Sequence, residues 1–214
     1  MKRFAVLGSS LLLVAQIAFA NDVLTVVPGS QTCEGVNIPK AATLNLPDRQ
    51  LGMTTVGFGL RQKKVAFIPV KVYCASVLVS EPASFVRSAA NDAALVSLDK
   101  MQANAIRLDF VRTVDAATVK SSFAEALTAN KVDLNSTNVK AFLNAVATGG
   151  DAQSGKALTI AGNEKTGVVL YEDTNGKIQQ VQGDAKLVHD VFSIWFGVPA
   201  DDGIAALKSE LIGQ

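Results

Sequence analysis

The chain has 214 residues, of which 49% are hydrophobic, 6% aromatic and 18% charged, with 20 Lys and Arg against 19 Asp and Glu and one His. So even a balance gives no electrostatic case for nucleic acid or an anionic membrane as partner, and one histidine excludes a His-cluster metal site or a multi-His proton relay. The length suits a single domain with one sizeable core, and no linker, internal repeat or low-complexity tract divides the chain.

At the start, Lys2 and Arg3 precede an apolar run over 4–19 that ends in Ala18-Phe19-Ala20. A basic end, a short apolar stretch and an A-x-A site predict a secretory signal peptide over 1–20 and export to the periplasm or the medium. The run is shorter than the roughly 20 residues of a membrane span, and no later segment qualifies. The expected mature domain, 21–214, would hold 214 − 20 = 194 residues, and losing Lys2 and Arg3 takes its formal charge from +1 to −1.

Residues 21–47 read as irregular, broken by Pro28, Gly29, Gly35, Pro39 and Pro47, with one short strand at 22–27. Alternating apolar and β-branched residues then predict strands over 54–60 and 65–79. Arg61 falls at the end of the first, an odd place for a charge. Glu81-Pro82 opens a short predicted helix over 83–90, and 105–111 reads as a strand. Asp115 can cap a helix over 116–130 that sets Val119, Phe123 and Leu127 on one face. A second helix, 136–147, turns Val139, Phe142, Leu143 and Val146 inward and ends at Gly149-Gly150. Strands over 157–161, 167–171 and 178–181 follow, joined by turns at Gly162-Asn163 and at 173–176. Asp184 starts a helix through Trp195, and Asp201 or Asp202 caps a last one carrying Ile204, Leu207 and Leu211. This order predicts an α+β fold, an antiparallel sheet covered on one face by a helix layer, with any ligand site between the two.

Catalytic and metal motifs are sparse, and no cofactor is expected. His189 reads as a helix-surface or partly packed imidazole. Gly57-Phe58-Gly59 lacks the third glycine and the following helix of a nucleotide loop, so it reads as close backbone packing in a strand. Ser97-Leu98-Asp99-Lys100 and Lys165-Thr166-Gly167 match two β-lactamase signatures, but the Ser-Asp-Asn that belongs between them is missing. Glu125 is expected in solvent, and Asp109 with Arg112 as an exposed pair or rim contact. Asn135-Ser136-Thr137 is a glycosylation sequon, with meaning only in a eukaryotic host. Cys33 and Cys74 leave two readings open. A bond, suited to an oxidising compartment, would stabilise by about 4 kcal/mol; unpaired, Cys74 would be a small packing residue of a strand.

The Gly-x-Gly-x-Arg strand at 57–61 followed by Val70-Lys71-Val72-Tyr73 resembles the core of the chalcone isomerase family. Stretches 107–127 and 167–197 resemble its strand with covering helix and its closing hairpin with helix, so that the likeness runs over roughly 30–213. The resemblance implies an open-faced β-sandwich and maps onto Arg61 and Tyr73 the pair with which fatty-acid-binding members hold a carboxylate. With no Asp or Glu at a strand-compatible spacing near Arg61, the anion it needs is expected to be the ligand's, its apolar tail lying among Phe67, Phe110, Phe123 and Phe142. The family's enzymes close a flavanone ring with the strand arginine and further Thr, Tyr and Asn donors. Alignment sets Ile68 at the threonine, Asp115 and Ser122 near the Tyr and Asn, and Ile204 near a last threonine. Missing donors remove electrostatic stabilisation of an oxyanion, so the resemblance implies a binding relative. The alternative is an isomerase acting on an enone, with Arg61 as electrophile. Oligomeric state is not legible.

Overall fold

The computed structural model describes residues 22–213; the expected signal peptide, 1–20, lies outside the described residues. Eight antiparallel strands form one sheet in sequence order. They are β1 (Leu24–Cys33), β2 (Val36–Asn45), β3 (Gln50–Val65), β4 (Ile68–Val79), β5 (Asn104–Phe110), β6 (Ala157–Asn163), β7 (Val168–Glu172) and β8 (Ile178–Gln182). Five α-helices accompany them: α1 (Ala93–Leu98), α2 (Ala116–Ala129), α3 (Thr137–Thr148), α4 (Ala185–Phe196) and α5 (Asp202–Leu211). This is the α+β fold, antiparallel sheet and helix layer, that the alternation and helical spacing predict, and the open-faced sandwich that the resemblance implies.

Helix starts follow their capping residues. Asp115, Ser136, Asp184 and Asp201 each accept a hydrogen bond from the backbone amide three residues on, satisfying a donor that the first turn leaves free. The main core lies between the sheet and α2–α5, around Phe123, Phe142, Phe192, Trp195 and Phe196. A smaller core occupies the other face, where Val23 and Leu24 meet Leu44, Met53, Leu78 and Leu170. There the Val23 amide donates to Glu172 Oε2 across 3.1 Å, so the sheet curls until the start of β1 reaches β7.

Three local expectations are corrected. Within the stretch expected to be irregular, β1 and β2 form a hairpin turning at Glu34 (φ 49°) and Gly35 (φ 80°), the paired positive φ of a two-residue turn whose twist suits its strands. Its prolines sit opposite each other, Pro28 against Pro39, where the register shifts. Past them the hairpin folds over β3, and Cys33 is bonded to Cys74 of β4 at a Cα separation of 6.1 Å. The expected helix over 83–90 is one 3-10 turn, Pro82–Ser84; Phe85 then packs edge-on against Phe196, drawing the chain across the core before α1. Asn163 ends β6, and the turn after it includes Gly167 at φ 65°.

Gly57 and Gly59 do provide close backbone packing. A Cβ on Gly57 would lie 1.8 Å from the Leu211 carbonyl oxygen, and one on Gly59 would lie 2.7 Å from Glu210 Cβ. Without side chains there, α5 rests on the backbone of β3, and its first residues reach the next β3 side chain on that face, Arg61.

Candidate functional site

Arg61 lies in mid-strand, because β3 continues to Val65. It pairs directly with Tyr73 of β4, while the next pair is Gln62 with Lys71. Val72 is thus an extra residue on β4, a bulge that re-aims its neighbours. Both Arg61 and Tyr73 border a cavity of about 270 Å³ between the sheet, α2 and the start of α5. Val70, Val72, Phe110, Val119, Phe123 and Ile204 supply most of its apolar wall. The rim carries Lys63 and Arg112 with Asp115 and Glu125 of α2.

Arg61 is only 6% exposed and has a protein anion after all. Its Nη2 donates to Asp201 Oδ2 at 2.6 Å, and its Nη1 donates to the Gln62 carbonyl. The sequence argument for a ligand anion as its necessary partner is therefore corrected, since α5 brings in Asp201 from 140 residues away. That carboxylate also caps α5 by accepting from the Ile204 amide at 2.8 Å. Burial pushes Asp201 up, but the Ile204 amide and the Arg61 guanidinium outweigh it and hold the carboxyl below the usual range. Gly203 leaves the room: a Cβ there would stand 2.0 Å from Arg61 Nη1 and 1.9 Å from the Gln62 carbonyl oxygen. Two of the five guanidinium N–H donors are used in this way.

Tyr73 is oriented from behind. The indole Nε1–H of Trp195 donates to the Tyr73 hydroxyl oxygen at 3.1 Å, and the Phe110 ring meets Tyr73 edge-on at 5.4 Å. The hydroxyl accepts from the indole, leaving its own proton to donate. Burial pushes the phenol's pKa up against the opposing pull of Arg61, so Tyr73 stays a neutral donor. Arg61 and Tyr73 thus set a charged and a neutral hydrogen-bonding side chain side by side in the lining of one largely apolar cavity.

The aromatic residues divide. Phe110 and Phe123 line the cavity. Phe142 does not: it stacks behind Phe123 at 6.2 Å and is fully buried core. Phe67 is corrected outright, standing 98% exposed at the tip of the β3–β4 hairpin, because Ala66 and Phe67 form the turn (φ 48° and 72°). Ile68, beside it, is 65% exposed, so it does not occupy a donor's place in the cavity and says nothing about catalysis. Asp115, Ser122 and Ile204 do border the cavity. Asp109 is paired within β5, accepting from Arg107 Nε and Nη2 at 2.9–3.2 Å, and Arg112 stands apart at the rim. Sequence reasoning missed Trp195 as Tyr73's partner, since only a buried indole in α4 hinted that its N–H needs an acceptor.

Residues 30–213 match a family model described as chalcone isomerase-like. No curated protein matches the chain in sequence. Among solved structures, a fatty-acid-binding protein of Arabidopsis thaliana superposes with a TM-score of 0.54 at 15% identity, covering 80% of this chain and 96% of that one.

Proposed function

The chain belongs to the chalcone isomerase-like family, and from that premise we propose that it binds, without transforming it, an apolar molecule ending in a carboxylate. The observation that carries this is the pairing of Arg61 with Tyr73 in register, both with donors to spare at the wall of one cavity. The ligand carboxylate takes a guanidinium N–H and the Tyr73 hydroxyl proton, joining Asp201 around the same cation. Its tail runs along Val72, Phe110, Val119 and Phe123. A cavity of about 270 Å³ stands just below the ~300–1,000 Å³ of ordinary ligand pockets, which suits a short or medium acyl chain better than a long one. That a solved structure of this fold is a fatty-acid-binding protein supports the ligand class.

Removal of residues 1–20 and export belong to the same proposal. The Cys33–Cys74 bond supports it, since such bonds persist in oxidising compartments. The enone isomerase reading keeps only Arg61 as electrophile, and no observation favours it. Native mass spectrometry of the purified protein, followed by extraction of any bound small molecule, tests the proposal. A fatty acid of short or medium chain is the expected finding. A neutral or cationic ligand released from the cavity would overturn it.

A further inference from the structure

The β3–β4 hairpin ends in the most exposed apolar surface among the described residues. Val65, Phe67 and Ile68 are 55%, 98% and 65% exposed, and they close the hairpin with no neighbouring element over them. Behind them the rungs carry Lys63 opposite Val70 and Lys64 opposite Pro69, with Lys71 one rung further. Lys63 and Arg112 have no acidic partner within 4.0 Å among the described residues. Lys64 meets Asp202 at 3.5 Å with both side chains open to water, a pair that water screens; Lys71 holds Glu34 at 2.6 Å. Asp115, the cap of α2, and Glu125 of α2 also border the cavity, while Asp201 and Asp202 stand beside Lys63 and Lys64. Ala66 and Phe67 both adopt left-handed backbone, where a glycine or asparagine would be at ease and a bulky residue is strained. The chain therefore keeps an aromatic ring in a turn where it is strained and cannot join the core.

We propose that this hairpin tip is a membrane-docking element, with Phe67 and Ile68 entering the headgroup boundary of an anionic bilayer while Lys63 and Lys64 meet its phosphates. Apolar side chains ahead of a lysine collar are the two components of interfacial binding, and lysine stems allow the ammonium groups to stay at headgroup level. Lys63 and Val65 also border the cavity mouth, so the docked protein opens its cavity toward the bilayer. Lys63, without an acidic partner, and Lys64, whose pair with Asp202 is open to water, are the lysines left to meet an anionic surface. The docking stands without the fatty-acid reading; the transfer of a ligand between bilayer and cavity rests on it.

Flotation with phosphatidylcholine vesicles, with and without phosphatidylglycerol, tests the proposal. The wild-type chain should float with the anionic vesicles at low salt. Phe67→Gly, which relaxes the turn and so keeps the fold, should reduce binding about tenfold or more, and Lys64→Gln about fivefold. A Phe67→Trp variant should be quenched by brominated lipid. Wild-type flotation that Phe67→Gly leaves unchanged, or none at all, overturns the proposal, as does a Phe67-dependent dimer in sedimentation without vesicle binding. Decanoate titrated against the same variants in the absence of vesicles should bind all of them equally. Loss of that binding with flotation intact would sink the ligand class and spare the docking.

Discussion

A buried guanidinium and a carboxylate that is 38% exposed make an unequal pair. Arg61 depends on an anion because leaving it unpaired in the wall would cost several kcal/mol, whereas Asp201 can turn to water. On the proposed function, a ligand carboxylate would enter as a second anion at Arg61, against repulsion from Asp201. Asn is as good a helix cap as Asp, so Asp201→Asn removes the charge and keeps the start of α5. That variant should bind decanoate more tightly, by roughly 1 kcal/mol once solvent screening is allowed for, in isothermal titration. Weaker binding would mean that Asp201 positions Arg61 rather than competing with the ligand. This residue was out of reach of sequence reasoning for a physical reason: Asp201 was legible as a cap, but its contact with Arg61 depends on how closely α5 approaches β3.

That approach is an element-scale property, set by glycines on both partners. Gly203→Ala would force either the Gln62 carbonyl or the Arg61 side chain to move. Such overpacking costs about 1–3 kcal/mol and should weaken decanoate binding more than tenfold while circular dichroism stays native. Unaltered binding would show that the slot around Arg61 is looser than its contacts indicate. The β1–β2 hairpin is tied on the face opposite Tyr73, since Cys74 is the neighbouring residue of β4. Replacing both cysteines with Ala removes a cross-link across 41 residues, worth about 4 kcal/mol in the chain-entropy model. Urea unfolding should show a loss approaching that figure, with decanoate affinity unchanged. The sequence hid this hairpin because its breakers are genuine: Pro28 and Pro39 do interrupt the register, and strands resume on either side of them. It disclosed β3–β8 and four of the helices because there apolar period and capping residues agree, whereas Phe67 was misread because apolar character alone does not separate a turn from a strand.

At the scale of the whole molecule, the charges set a pH window. Burial, with Asp99 close by, raises Glu164 to about 7, and burial raises Glu172 to about 7, both from an ordinary 4.5. Raised carboxyls contribute stability in full below 4.5 and lose it as pH rises through about 7. His189 acts in the same sense: its hydrogen bond to Asp99 raises it from 6.5 despite partial burial, so its contribution is full below 6.5 and fades as pH rises through the raised value. Asp201 is depressed from 3.8, so what it contributes is lost only as pH falls through its lowered value. Calorimetry should find the chain melting higher at pH 5 than at pH 8, and Glu164→Gln with Glu172→Gln should flatten that difference. An unchanged slope in the double variant would contradict the assignment. The central claim, an arginine-anchored carboxylate in the sheet–helix cavity, is tested most directly by calorimetric titration of decanoate against wild type and Arg61→Gln. The account predicts a loss of roughly 2 to 4 kcal/mol in the variant, with its fold intact by circular dichroism; equal affinities would contradict it.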